Sequence, residues 1–495
     1  MNTQKTVRTR FSPSPTGFQH IGGFRTALYA WLWAKKNNGQ FLLRVEDTDQ
    51  ERKVAGATSY IVDSLDWLGI NYDEGPSRNE LKLMGEDTEK APTQDGRCAP
   101  YIQSQRKKRH QEIAEQLIEM GVAYRCDCTP ERLEAERKEQ AERKENTGYS
   151  GYCRNRNVSK DSKHVIRLKI PDNLKITLND IVRGEIVFDN PSLKDTVLLK
   201  SDGMPTYHLA CMVDDHDMEI THVMRGEEWL PTAPVHLLLY KYLGWEPPQF
   251  CHLSQILAKD GKKLSKRHGA EALNYFKDAG YLPDAIVNYI ARVGWSLGDG
   301  DEQEIFTRQE LIEKFSLDRL QKAGGVYDPE KLLWVNSQII HRMSDQDFML
   351  ACKPFFEKAG YQFNQERFLP LAKDLKERCK LLTDCIPFAE FLFKNEIIFN
   401  PNDLYKKEIN KDNCKVIVER CLYGFKELQV FNHSSIELLM RGYAEELNLK
   451  PGSLFSVIRV VLTGSMVTPP IFESLAALGK EEVLKRLENA LKVLN

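Results

Sequence analysis

Chemistry concentrates in two short stretches of this chain. The first is Arg10-Phe11-Ser12-Pro13-Ser14-Pro15-Thr16-Gly17-Phe18-Gln19-His20-Ile21-Gly22-Gly23. Small residues at Gly22 and Gly23 would let a nucleotide lie close to the backbone, and His20 is placed where its ring could touch that ligand. The second stretch is Gly261-Lys262-Lys263-Leu264-Ser265-Lys266-Arg267-His268-Gly269, which sets Lys262, Lys263, Lys266 and Arg267 between two glycines. Ammonium groups suit phosphate oxygens. A lysine that meets phosphorus during a displacement stabilises charge that grows in the transition state. A Lys-rich loop by itself reads as a solvated basic turn; its pairing with the first stretch reverses that reading.

The first stretch needs a strand, a stiff loop and a helix to present it. Residues 7–11 read as a buried strand, and 21–37 as a helix with Leu28, Leu32 and Trp33 at helical spacing and Gly39 at its end. Pro13 and Pro15 forbid helix in between, and Gly17 permits a tight turn. A loop opening into a helix N-terminus makes an anion site, because free backbone N–H groups and the helix dipole point at it. Residues 41–45 read as a second strand ending in Glu46-Asp47-Thr48-Asp49, and a helix with Ile61, Leu65 and Leu68 follows. This alternation predicts a parallel sheet whose ligands gather at the carboxyl ends of strands, so the loop and Glu46 could face one cleft.

Further along, 76–105 reads as a polar surface loop, long enough to be an insertion. Helix is expected over 106–120 and over the charged run 131–146, the latter as a solvated helix held by its own ion pairs. Residues 165–168, 186–188 and 197–199 have strand character. Polar groups gather again at Tyr207, His208, Asp214, Asp215, Arg225, Glu227 and Glu228. A helix over 234–243 closed by Gly244 and a strand-like segment at 252–257 lead into the basic loop. Beyond 269 the chain reads as helical: Ile286, Ile290 and Val293 share a face, Thr307 to Glu310 has capping-box spacing, Gly324-Gly325 marks a boundary, and 480–494 is a terminal helix.

With 495 residues the chain needs more than one core. A net charge of −2 announces neither nucleic acid nor membrane. No apolar run approaches the roughly 18 residues of a membrane span, and no signal peptide is expected. The 11 scattered cysteines read as reduced thiols of a cytoplasmic protein.

His20-Ile21-Gly22-Gly23 resembles the His-Ile-Gly-His signature of class I aminoacyl-tRNA synthetases, and Lys263-Leu264-Ser265-Lys266-Arg267 resembles their Lys-Met-Ser-Lys-Ser signature. With 44–49 and 223–228, these residues are similar to the bacterial glutamyl-tRNA synthetases. The likeness runs from residue 7 to the C-terminus and is densest up to 335. It implies an α/β fold: a Rossmann-like catalytic domain in two halves, 1–105 and 205–268, split by an α+β connective domain at 106–204. All-α parts would follow, a stem-contact domain at 269–335 and an anticodon-binding region at 336–495. It implies that ATP, with Mg²⁺, activates L-glutamate, and that a monomer then passes it to tRNA(Glu). Some members also glutamylate tRNA(Gln); a glutaminyl-tRNA synthetase and an inactive tRNA-binding paralogue are the remaining alternatives.

By the same resemblance His20 and Lys266 are the catalytic residues, and ATP is held by His20, Gly22, Gly23, Glu228, Lys263, Ser265, Lys266 and Arg267. Arg10 and Arg225 hold the glutamate side-chain carboxylate, a pairing that a planar guanidinium suits. Glu46 takes the ammonium, Ser12 and Ser14 line the loop, and Tyr207 is a wall. Arg44–Glu46 also has a purely structural reading as an ion pair. Cys211 stands where some relatives have asparagine, so it inherits no polar role. Arg378 roughly matches an arginine that reads the third anticodon base. Some relatives bind zinc through cysteines placed like Cys126, Cys128 and Cys153, but Asn155 occupies the fourth position and structural zinc wants four N or S donors, so no metal is expected.

Overall fold

The structure is a computed structural model that describes residues 5–189, 193–264, 271–298, 300, 302–405 and 409–494. The chain forms two compact units. One comprises Met1–Tyr275 with Ile286–Pro329, the other Phe276–Ala285 with Glu330–Asn495.

The first unit is built on nine strands and seven helices relevant to the site. In chain order they are β1 (Arg8–Phe11), α1 (Ile21–Lys36), β2 (Gln40–Leu43), α2 (Ala57–Trp67), α3 (Arg78–Leu83), α4 (Lys107–Glu119), β3 (Ala123–Cys126), α5 (Pro130–Glu142), β4 (Val165–Leu168), β5 (Lys175–Asp180), β6 (Gly184–Asp189), β7 (Val197–Leu199), α6 (Tyr207–Asp217), β8 (His222–Gly226), α7 (Ala233–Leu243) and β9 (Gln249–Leu253). A six-stranded sheet runs β2-β1-β8-β9-β5-β6. Its strands pair in parallel except for the antiparallel β5–β6 hairpin. All four residues of β1 are buried, as expected of a strand covered on both faces. Helix α1 follows the stiff loop, with Phe24, Leu28 and Leu32 fully buried and Lys35 and Lys36 in its last turn, where cations favour the helix dipole.

A separate antiparallel sheet, β3-β4-β7, forms the centre of the segment between the two halves of the parallel sheet. Helix α5 buries none of its residues, in keeping with its charged sequence. The β5–β6 hairpin belongs to this intervening segment by sequence, yet it leaves β3-β4-β7 and extends the parallel sheet. Asp180 pairs with Phe250, and the amide of Ile181 donates to the carbonyl of Phe250 at 2.9 Å.

The 76–105 segment differs from the surface loop that its polarity suggests. It opens with α3, whose Ser77 and Glu80 form a reciprocal capping box, and it buries Leu81, Ala91 and Tyr101. Glu80 accepts from the amides of Ser77 at 2.8 Å and Tyr101 at 3.0 Å, so its charge folds the segment on itself instead of facing water. The strand-like 252–257 segment is two strands, β9 and Ile256–Leu257, interrupted at Ser254-Gln255.

In the second unit helices pack around one apolar core that includes Phe348, Phe356, Phe368, Cys421, Phe425, Ile458 and Leu487. Its last helix, Lys480–Leu494, buries Val483, Leu487 and Leu494 as the periodicity predicts.

Candidate active site

A cavity of about 1090 Å³ opens at the carboxyl ends of β1 and β8. Arg10, Ser12, Ser14, Glu46, Tyr207 and Arg225 all line it, so the six residues expected to surround an amino acid are brought together. Gly23 lines it as well, and so does Trp229, which the sequence reading passed over. The Trp229 and Tyr207 rings lie with centroids 4.1 Å apart, forming an aromatic side wall. The hydroxyl of Ser12 is buried without a hydrogen-bond partner. Such an atom is costly unless a ligand satisfies it.

Behind the cavity lies a buried quartet of charges, of which Arg10 and Glu46 reach its lining. Arg44 donates from Nη1 to Asp215 Oδ1 at 2.7 Å and from Nη2 to Glu46 Oε1 at 2.9 Å. Arg10 donates from Nε to Asp215 Oδ1 at 3.0 Å and from Nη1 to the carbonyl of Met224 at 3.2 Å. All four side chains are at most a few per cent exposed. Burial works to raise the Asp215 pKa, but Arg10 and Arg44 outweigh it and hold the carboxyl below its ordinary value. For Glu46 burial wins over Arg44 and Arg10, and its pKa is raised. Burial beside Asp215 pushes the Cys211 thiol up to about 12, so it stays neutral. Two guanidinium groups against two carboxylates leave the quartet balanced.

Arg225 has different company. Its Nε donates to His252 Nε2 at 2.9 Å, and Nη1 reaches His236 Nδ1 at 3.0 Å and the Tyr207 hydroxyl at 3.3 Å. Its Nη2 is buried with no partner. Burial raises the Tyr207 pKa well above its usual value, so that neighbour is neutral too. His236 and His252 were not singled out from sequence; each sits in an apolar run with no motif around it.

At the other end of the loop, His20 is the N-cap of α1. Its Nδ1 accepts the Gly22 amide at 3.0 Å, which leaves Nε2 to carry the proton of the neutral ring. A Cβ on Gly22 would come within 2.8 Å of the His20 ring, and one on Gly23 within 2.6 Å of the Gln19 side chain. The glycines therefore make room first for their own loop. Lys263 Nζ lies 3.4 Å from Glu228 Oε1, pairing two residues expected at the triphosphate. The amide of Leu264 donates to Ile256 at 2.8 Å, anchoring the start of the basic loop on the strand before it. Ser265, Lys266 and Arg267 lie outside the described residues.

The sulfurs of Cys126, Cys128 and Cys153 gather within 4.8 Å of one another. Cys128 and Cys153 Sγ are 3.5 Å apart, and the Tyr149 hydroxyl lies 3.4 Å from Cys126 Sγ. Asn155, two residues beyond Cys153, is exposed. Three sulfur donors are present and a fourth N or S donor is not among the described residues of that group. Arg378 lies exposed in the turn after the helix Ala372–Lys376 of the second unit.

A parallel sheet with a histidine-capped helix at its carboxyl end, a basic loop after its last strand and a separate helical unit defines a class I aminoacyl-tRNA synthetase. Residues 6–334 match the family described as tRNA synthetases class I (E and Q), catalytic domain, and 347–491 match an anticodon binding domain. A glutamate–tRNA ligase from Dehalococcoides mccartyi is 41% identical over 494 residues, covering 99% of this chain and 98% of the relative. One from Borrelia recurrentis is 42% identical, covering 98% and 95%. Among solved structures, a glutamate–tRNA ligase from Elizabethkingia meningosepticum in complex with its amino acid superposes with a TM-score of 0.84 at 34% identity, covering 99% of this chain and all of that one. The chain belongs to the glutamate–tRNA ligases, the class I enzymes that join glutamate to tRNA.

Proposed function

We propose that this enzyme ligates L-glutamate to the 3′ end of tRNA(Glu) in two steps within the cavity described above. An oxygen of the glutamate α-carboxylate attacks the α-phosphorus of ATP, forming glutamyl-adenylate and releasing pyrophosphate. The 2′-hydroxyl of the terminal adenosine then attacks the activated carbonyl, losing its proton as AMP departs. His20 Nε2 and Lys266 are the groups assigned to the triphosphate, with Mg²⁺ accompanying ATP; Gly22, Gly23, Glu228, Lys263, Ser265 and Arg267 complete that end. Arg225 and Arg10 face the side-chain carboxylate, Glu46 the ammonium, and Ser12 and Ser14 the remaining oxygens.

One observation carries the amino-acid assignment. The Arg10–Arg44–Asp215–Glu46 quartet is balanced, and Arg225 touches no carboxylate directly and keeps a buried Nη2 without a partner. Glutamate, with two carboxylates and one ammonium, brings one net negative charge. Glutamine, almost isosteric, brings none and would leave a buried cation unpaired, a difference that can discriminate by roughly 10⁴ or more.

Residues 106–204 are assigned to the acceptor end of the tRNA and Arg378 to the third anticodon base, which would restrict charging to tRNA(Glu). Eleven free thiols support a reducing, cytoplasmic setting, and the enzyme is assigned as a monomer by its resemblance to the family. No described helix is long and apolar enough to cross a membrane. The test is charging of bulk tRNA by purified protein with ATP and Mg²⁺, supplied with glutamate or glutamine in parallel. Glutamyl-tRNA is expected, and formation of glutaminyl-tRNA from free glutamine refutes the assignment.

A further inference from the structure

Two arginines on adjacent strands of one sheet face the cavity with opposite kinds of partner. Arg10 on β1 is bound to Asp215, which it shares with Arg44, so carboxylates absorb its charge locally. Arg225 on β8 is equally buried, and the groups that hold it are two imidazoles and a phenol. Neither imidazole was chosen by its immediate sequence: His252 comes from β9 and His236 from α7.

The hydrogen bonds behind those rings fix their tautomers. His252 Nδ1 lies 2.6 Å from Asp180 Oδ2, which is a pure acceptor, so Nδ1 carries the proton and Nε2 presents a lone pair to Arg225 Nε–H. Asp180 sits at the tip of the β5–β6 hairpin. The amides of Val182 and Arg183 at 2.9 Å and of His252 at 3.1 Å also donate to it, and the His252 ring stands between this carboxylate and Arg225. On the other side, His236 Nδ1 accepts from Arg225 Nη1. Its Nε2 therefore carries the proton and donates to His208 Nδ1 at 3.1 Å. Protonating either ring would place two cations face to face. Burial and then the Arg225 charge hold His208 at about 4, and the same causes lower His236 well below its ordinary value.

We infer that His236 and His252 are positioning residues for amino-acid specificity: they lock the Arg225 guanidinium as neutral acceptors and keep carboxylates of the protein out of contact with it, so a ligand that carries its own carboxylate completes the site. The inference rests on the reading of Arg225 as the partner of the substrate side chain. By extension the inserted hairpin, through Asp180, takes part in choosing the amino acid although it lies behind the cavity.

The test compares a charged and a neutral replacement of one imidazole in the full enzyme, in tRNA charging with glutamine as competing inhibitor. His236→Glu sets a carboxylate against Arg225. It should raise the KM for glutamate at least about tenfold and narrow the gap between that KM and the glutamine inhibition constant by a similar factor. The KM for ATP should stay within about twofold. His236→Gln keeps an uncharged acceptor and should retain the preference within about threefold. Equal loss of preference in both variants, or an unchanged preference in His236→Glu, overturns the inference. Should His236→Glu fail to fold by its thermal melt, His208→Glu decides, because it places the carboxylate one hydrogen bond further out on a half-buried side chain. A shift in the same direction of at least about threefold is expected there, and none overturns the inference. Arg225→Met separates the two levels: if it leaves the glutamate preference intact, the reading of Arg225 fails; if it abolishes the preference while the histidine variants do not, only the present inference fails.

Discussion

Replacing Asp215 by asparagine tests whether the quartet behind the cavity is a dry, balanced set of charges. Asp215 accepts from Arg44 at 2.7 Å and from Arg10 at 3.0 Å, and neither it nor Arg44 has solvent access. Asparagine keeps the shape but presents an NH₂ group to one arginine and leaves Glu46 as the sole carboxylate for two guanidinium groups. Breaking a buried pair from one side costs about 3–5 kcal/mol, and the retained amide oxygen returns about 1 kcal/mol. A net loss of about 3 kcal/mol is expected. For a unit of about 320 residues that lowers the melting temperature by about 4–5 °C. Tryptophan fluorescence reads this unit selectively, because Trp31, Trp33, Trp67, Trp229, Trp245 and Trp295 lie in it and only Trp334 lies outside. Asp217→Asn is the comparison. Its pairs with Arg106 and Arg109 are partly solvated, and its loss should cost about 1 kcal/mol or less. If the two variants lose the same amount, or Asp215→Asn loses under about 1 kcal/mol, water reaches the quartet and the charge argument for glutamate collapses with it.

Lys266→Ala should lower kcat by about 10²-fold or more with a smaller change in the KM for glutamate, as befits a group acting on the transition state; a change confined to KM counts against that role. Gly22→Ala should cost more in activity than in stability, since its Cβ would strike the His20 ring; an unchanged KM for ATP and kcat would show that the cap does not position the ring. His208 is neutral in the fold, at about 4, and protonated in the unfolded chain below its ordinary value near 6.5. The unfolded state thus binds more protons between those values. Stability falls as pH drops through that window, by about 1–3 kcal/mol from this side chain. Urea midpoints of wild type and His208→Gln measured from pH 7 to pH 4 should therefore converge, and parallel curves would refute the shift. Metal analysis of protein prepared without chelator should find less than about 0.3 zinc per chain, because the three thiols and Tyr149 partner one another and Asn155 faces solvent. A full equivalent would refute the reading that Asn155 disables the set.

Much of the cavity lining is legible in the motifs of the sequence. Arg10, Glu46 and Arg225 lie far apart in the chain yet each sits in a recognisable run, and they meet Tyr207 where a parallel sheet ends. What the runs did not disclose is who holds those residues. Asp215, in the polar cluster at 214–215, is 205 positions from Arg10, and nothing in either neighbourhood couples them. His252 and His236 stand in apolar segments where a buried histidine is indistinguishable from ordinary core. Ser77 and Glu80 have capping-box spacing, a signal that the polarity of 76–105 masks. The Lys175–Asp180 strand is hard to read because its exposed residues, Lys175, Thr177 and Asn179, are polar and only Leu178 of its apolar residues is fully buried, as suits a hairpin at a sheet edge.

The strand order also sets a timetable for synthesis. β1 lies between β2 and β8, and the Arg8 amide is held by Thr221, 213 residues later. At about 5–20 residues per second, the first strand waits roughly 10–40 s on the ribosome for that neighbour. For most of that interval Arg10 and Arg44 have been made and Asp215 has not. The N-terminal βαβ unit therefore cannot dry its own interior as it emerges; its two arginines must stay hydrated until the chain has grown past α6. A ribosome-bound chain halted before residue 215 should be open and sensitive to protease along β1 and β2, and the same strands should become protected once β8 and β9 have cleared the exit tunnel.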